Sequence, residues 1–125
     1  MGGGAGAGGD NDSHTPFPEN VDGGGIVLLF AKTIASLYIN ANGETGIAAG
    51  SSGGAASGGG AGGSILINTV DATLSTVTSS GGAGGNDGAG DVGGNGSAGR
   101  NAIYYINSLT GSTTPAAYTS KVPGP

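Results

Sequence analysis

A chain of 125 residues is long enough for one domain and short for two. Its 31 glycines and 9% charged residues stand far from the globular average of roughly 7% glycine and about 25% charge, which excludes an ordinary side-chain core and, with so little charge, ordinary charge-driven disorder. The net charge of -5, with Lys32, Arg100 and Lys121 as the only bases, excludes a basic nucleic-acid surface, and the lack of cysteine excludes disulfides and thiolate metal sites.

In chain order, residues 1–23 open with Gly3, Gly6 and Gly9, three apart, followed by Asp10-Asn11-Asp12-Ser13-His14. That run, with the single histidine, resembles a loose metal loop. Glu19 misses the offset of the closing bidentate acid of a calcium loop, so the segment reads as a polar turn and no metal or cofactor is expected. No leader pattern follows Met1; an exported chain is expected to have lost its leader or to belong to a longer protein. Strands are predicted at 25–34, 36–41, 64–68, 74–78 and 102–106, where β-branched and aromatic residues run between Gly, Asn, Asp and Ser. Ile26, Leu28 and Phe30 form one face of the first run and Val27, Leu29 and Ala31 the other; both are apolar, which predicts cover on both faces. No sustained helical period is present, and the longest apolar run is too short to span a bilayer.

The glycines between these strands are spaced. Gly50, Gly53, Gly59 and Gly62 fall on a three-residue grid with Ala56 in the missing slot, and Gly81, Gly84, Gly90, Gly93, Gly96 and Gly99 do so with Asp87 as the break. Three residues per turn is the period of the polyproline II helix, whose backbone groups have no internal partner and whose glycines admit close neighbours. The stretch from Gly46 to Gly63 would run roughly 50 Å if straight, against about 30 Å for the flanking strands. A fold-back in each stretch is therefore expected, near 55–57 and near 86–87. The chain also repeats: Ile39-Asn40-Ala41-Asn42-Gly43 returns thirty-eight residues later as Val77-Thr78-Ser79-Ser80-Gly81, and Ile65 follows Ile26 by thirty-nine residues and precedes Ile103 by thirty-eight. The expected architecture is a single all-β domain with units near 24–61, 62–99 and 100–121. Short stacked strand layers, β-solenoid or sandwich-like, are combined with packed polyglycine II helices that cover one side of the sheet while a second strand layer covers the other.

Gly62-Gly63-Ser64-Ile65-Leu66-Ile67 and Gly99-Arg100-Asn101-Ala102-Ile103-Tyr104-Tyr105 resemble the strands that follow glycine runs in glycine-rich repeat segments of predicted bacterial surface proteins. The likeness covers most of 23–121, carries no catalytic motif, and implies an extracellular or cell-surface location. The glycine spacing alone is similar to that of polyglycine II proteins such as phage tail-tip adhesins and springtail antifreeze proteins; the latter carry disulfides, which this chain lacks.

Sites of chemistry are sparse. Gly88-Ala89-Gly90-Asp91-Val92 matches part of a calcium nonapeptide that works only in tandem copies, and the glycine runs lack the lysine of a phosphate loop. One histidine and no cysteine leave almost no base for a nucleophile, so no catalytic residue is assigned and no enzymatic activity is expected. Tyr38, Tyr104, Tyr105 and Tyr118 are candidates for a sugar-stacking surface. The expectation is a structural module whose unpaired strand edges lead it to self-associate into a homo-oligomer or filament, or to stack on neighbouring domains, with Gly2–Gly9 available as a further glycine helix. The alternatives are a surface-binding adhesin tip, with surface carbohydrate as the candidate ligand, and, less favoured, an ice-binding protein.

Overall fold

The computed structural model describes residues 21–48, 56–86, 88, 90 and 92–124. Within them the chain is all strand: β1 (Ile26–Asn40), β2 (Ser64–Thr78), β3 (Arg100–Thr110) and β4 (Tyr118–Lys121) form one parallel sheet in the order β1-β2-β3-β4. The paired predicted runs 25–34/36–41 and 64–68/74–78 are thus each one longer strand. Strand register is set by the inner face. Val27 lies beside Ile65 and Asn101, and Leu29 beside Ile67 and Ile103. The predicted alignment of Ile26, Ile65 and Ile103 is not the one adopted; Ile26 pairs with Ser64. A one-residue slip would turn Val27 and Leu29 outward and bring Ile26 and Leu28 in, so the observed register follows from which alternate set can pack on Ile65 and Ile67.

Each long strand doubles back on itself. Fifteen extended residues would span about 50 Å, yet the two ends of β1 touch. Ser64 N donates to Gly25 O (3.0 Å) and the preceding Gly63 N to Ala41 O (2.8 Å). A Cβ on Gly24 would stand 1.9 Å from Ala41 O. The reversal falls at the register shifts between Ile34 and Tyr38. In β2 the same closure is made by Gly99 N on Ser79 O (2.7 Å) and Arg100 N on Gly63 O (3.0 Å). The two halves of each strand therefore face one another, and the core lies between them: Ile65, Ile67 and Ile103 from the first halves, Ala72, Leu74 and Val77 from the second. Gly111, at φ +92, ends β3 where a Cβ would lie 2.4 Å from Leu74 O.

The expected cover on both faces is not found among the described residues. Ile26, Leu28 and Phe30 are 57%, 63% and 67% exposed, whereas Val27, Leu29 and Ala31 pack on the core. Nor do the described parts of the glycine stretches lie over the sheet. They run on from the strand ends and pack among themselves, because the inner face is already filled by the strands' own return halves.

Besides Thr69, whose Oγ1 bonds Asp71 O (3.0 Å), the core holds a buried polar pair among the described residues. Ser79, fully buried, donates from Oγ to Asn101 Oδ1 (2.9 Å), and Asn101 Nδ2 donates to Pro115 O (2.7 Å). It ties the end of β2, the start of β3 and the loop before β4. Among the described residues no buried side-chain nitrogen or oxygen lacks a partner. Asn101→Leu strands the Ser79 hydroxyl and leaves the Pro115 carbonyl with Thr113 Oγ1 (2.6 Å) as its remaining donor; it is expected to lower stability by about 1–3 kcal/mol, read as a drop in the urea midpoint with an unchanged slope.

Candidate interaction surface

The glycine segments determine which surfaces are free. Gly63, Gly60 and Ser57 N donate to Ala41, Glu44 and Ile47 O (2.8, 2.8 and 3.0 Å), an antiparallel fold-back of the stretch between β1 and β2. Gly99, Gly96 and Gly93 N donate likewise to Ser79, Gly82 and Gly85 O (2.7, 2.8 and 2.9 Å). Both fold-backs agree with the prediction from length. The reversal of the first lies outside the described residues except Ala56 and Ser57; the second turns beyond Asn86, which bridges Val92. Bonds also cross between the two stretches: Gly82 and Gly85 N to Gly60 and Ser57 O (2.8 Å each), and Gly43 and Gly46 N to Ser80 and Ala83 O (2.9 and 2.7 Å). Every set recurs at three-residue intervals, and each segment is joined to neighbours on more than one side.

Glycine placement follows the number of packed sides. Residues 56–63 and 79–85 bond to each other as well as to 41–47 and 93–99, and carry two glycines in every three residues: Gly59/Gly60 with Gly62/Gly63, and Gly81/Gly82 with Gly84/Gly85. At each of these a Cβ would fall 1.7–2.2 Å from a backbone oxygen. The outer segments need one in every three residues, Gly43 and Gly46 on one side and Gly93, Gly96 and Gly99 on the other. By the strand register, the outward-facing counterparts of Gly60, Gly82 and Gly85 are Asp22, Glu44 and Ile47, while Asn95 and Ala98 stand where the preceding unit has Gly59 and Gly62. Side chains thus close both ends of the glycine block, and Asp22 N is held on Glu44 Oε2 (3.1 Å). At the leading end Gly25, counterpart of the tightly packed Gly63 and Gly99, has nothing within 4 Å of its Cβ position.

What remains open is the sheet. The outer face of its first-half strands carries Ile26, Leu28, Phe30, Leu66, Tyr104 and Tyr118, and no described segment lies along the outer edge of β1. Exposed apolar residues grouped in this way mark contact sites more often than scattered ones do. Alternation predicts cover for the first three as well; the missing signal is which of two equally apolar faces the return strand chooses. The tyrosines are divided. Tyr104 and Tyr118 meet edge to face with centroids 6.1 Å apart, whereas Tyr105 alternates onto the opposite side of β3 and Tyr38 lies on the return half of β1. No single four-tyrosine surface exists.

The other candidates carry little chemistry. Asp10–His14 and Gly2–Gly9 lie outside the described residues. In 88–92 only Gly88, Gly90 and Val92 are described; Gly88 N bonds Asn86 Oδ1 (2.8 Å), and the positive φ of Gly88 and Gly90 marks a turn. Among the described residues no three His, Cys, Asp or Glu side chains come together. Likewise none of the described segments forms a helix long and apolar enough to cross a membrane. A cleft of about 210 Å³ between Leu74, Ile103, Leu109 and Ala117 has no titratable residue in its lining. No family model, curated protein or solved structure matches this chain.

Proposed function

We propose that the chain is a non-enzymatic structural module of an extracellular or cell-surface assembly, a stack of strand–turn–strand units continued by polyglycine II helices, which self-associates or docks on neighbouring domains of its kind. The observation that carries this reading is the exposed apolar row Ile26, Leu28 and Phe30 on a strand with an open edge, a combination that invites another strand. The polyglycine II part is supported by the three-residue recurrence of the inter-segment hydrogen bonds and by glycine wherever a neighbour's backbone comes close. With side chains closing both ends of the glycine block, growth by stacking glycine layers is disfavoured, and association through the sheet is the favoured route. The purified chain, without ligand, is expected to sediment as oligomers or to show filaments in negative-stain electron micrographs. A monodisperse monomer across the accessible concentration range overturns the reading. The Tyr104–Tyr118 pair favours a second reading, an adhesin tip that stacks sugars, for which a glycan array on the monomer is the test.

A further inference from the structure

We infer that the open edge of β1 pairs antiparallel with β1 of a second copy about a two-fold axis; this rests on the self-associating reading above and names its surface. The alternation of backbone direction comes first. Because Gly25 O is turned to β2 by Ser64 N, Ile26, Leu28 and Phe30 turn their own N–H and C=O groups to the open side. The same three residues expose their side chains, and β1 contains no proline. The opposite edge differs. β4 has four residues and is followed by Val122 and Pro123, which lacks a donor. A head-to-tail contact of β1 on β4 would therefore match a long edge with a short, blocked one. An isologous contact of β1 on itself is the pairing that both edges of the contact can complete.

Charge fixes the direction and register. Asp22 stands exposed at one end of the apolar row and Lys32 at the other. An antiparallel pair with Ile26 opposite Leu28 of the partner subunit puts Val27 opposite Val27 of the partner subunit. It also places Asp22 opposite Lys32 of the partner subunit, and, by symmetry, twice. The alternative with Leu28 on the axis sets Lys32 against Gly24 of the partner subunit and leaves Asp22 without a cation. Pairing this way extends the sheet, merges the two apolar rows and sends the two glycine blocks, with Glu44 and Asp22, to opposite ends of the dimer.

The chain has no cysteine, so Val27→Cys in the full chain is a clean probe. A non-hydrogen-bonded antiparallel pair brings Cβ atoms to about 4.5–5.5 Å, and mild oxidation is expected to give a disulfide-linked dimer from Val27→Cys and none from Thr119→Cys on β4. In sedimentation equilibrium, Lys32→Glu is expected to weaken the dimer about tenfold, since two attractive pairs become repulsive. Asp22→Lys with Lys32→Glu is expected to restore it to within about threefold, a rescue that a purely structural role for Lys32 does not give. Self-association that is insensitive to Lys32→Glu, with no Val27→Cys crosslink, overturns this surface while leaving the broader reading in place. Crosslinking by Leu28→Cys in preference to Val27→Cys overturns the register. A chain monomeric at all concentrations overturns both readings. A chain that dimerises only after deletion of residues 1–20 overturns this one, since its own N-terminal segment then occupies the edge.

Discussion

Gly82→Ala is expected to lower stability by about 4 kcal/mol or more, a large share of the roughly 5–15 kcal/mol that holds a domain folded. Gly82 has no unusual backbone angle, since positive φ among the described glycines is confined to Gly88, Gly90 and Gly111. Its requirement is space. A Cβ at this position would lie 1.7 Å from Glu44 O and 2.4 Å from Glu44 C, against backbone that cannot rotate away. Accommodating it means moving segment 79–85 by more than an ångström. That segment is held on both sides, Gly82 N on Gly60 O (2.8 Å) and Gly82 O under Gly96 N (2.8 Å). Both bonds are lost or stretched together, and each buried group left unpaired costs about 1–3 kcal/mol. The gain from a less flexible unfolded chain, about 0.4–1 kcal/mol, does not offset this.

The contrast within one residue type is the test. Gly94 has nothing within 4 Å of its Cβ position, so Gly94→Ala retains only the unfolded-state gain and is expected to be neutral or stabilising by about 0.4–1 kcal/mol. Urea unfolding of the two variants side by side measures the difference. Equal effects of the two substitutions would mean that glycine acts here through flexibility and that the close-packed account of residues 79–85 is wrong.

That contrast also shows how far the sequence could be read. The three-residue grid through Gly81, Gly84, Gly93, Gly96 and Gly99 is a local pattern with a local cause, a close neighbour every third residue, so it is visible in one dimension. The strands are visible for the same reason. What escaped was the partner of each face. Ile26-Val27-Leu28-Leu29-Phe30 is apolar on both sides, so alternation could not say that Val27 and Leu29 turn inward. Nor could it say that the covering layer is the strand's own return half beyond Ile34. Two glycines in every three residues in 59–63 and 81–85, against one in 43–46 and 95–99, did encode which segments are central. The signal was present, but reading it needs the fold-back first, since only then do two sides of a segment become distinguishable. The open edge of β1 was legible only as a generality about end strands; that it is apolar, proline-free and flanked by Asp22 and Lys32 on opposite ends takes on meaning once β1 is known to be terminal.

Ile67→Ala carries the other large effect, expected at about 2–5 kcal/mol. Ile67 is fully buried at the centre of the inner face, flanked in register by Leu29 on β1 and Ile103 on β3. Its side chain is one of few large ones in a core that also uses Ala72 and Thr69, so little neighbouring bulk is available to collapse into the space left behind. The loss therefore sits toward the upper end of the range, where cavity adds to transfer. Leu28→Ala removes as much apolar side chain one position along β1's outer face. Leu28 is 63% exposed, so for the isolated chain the expected change is within about 0.5 kcal/mol. Measured at concentrations where the chain self-associates, the same Leu28→Ala substitution is expected to lower the melting temperature, because the associated state then contributes to stability by mass action. A concentration-independent effect of Leu28→Ala as large as that of Ile67→Ala would mean that the two faces of the sheet are equally covered in the folded chain, and that the open apolar row is not open in solution.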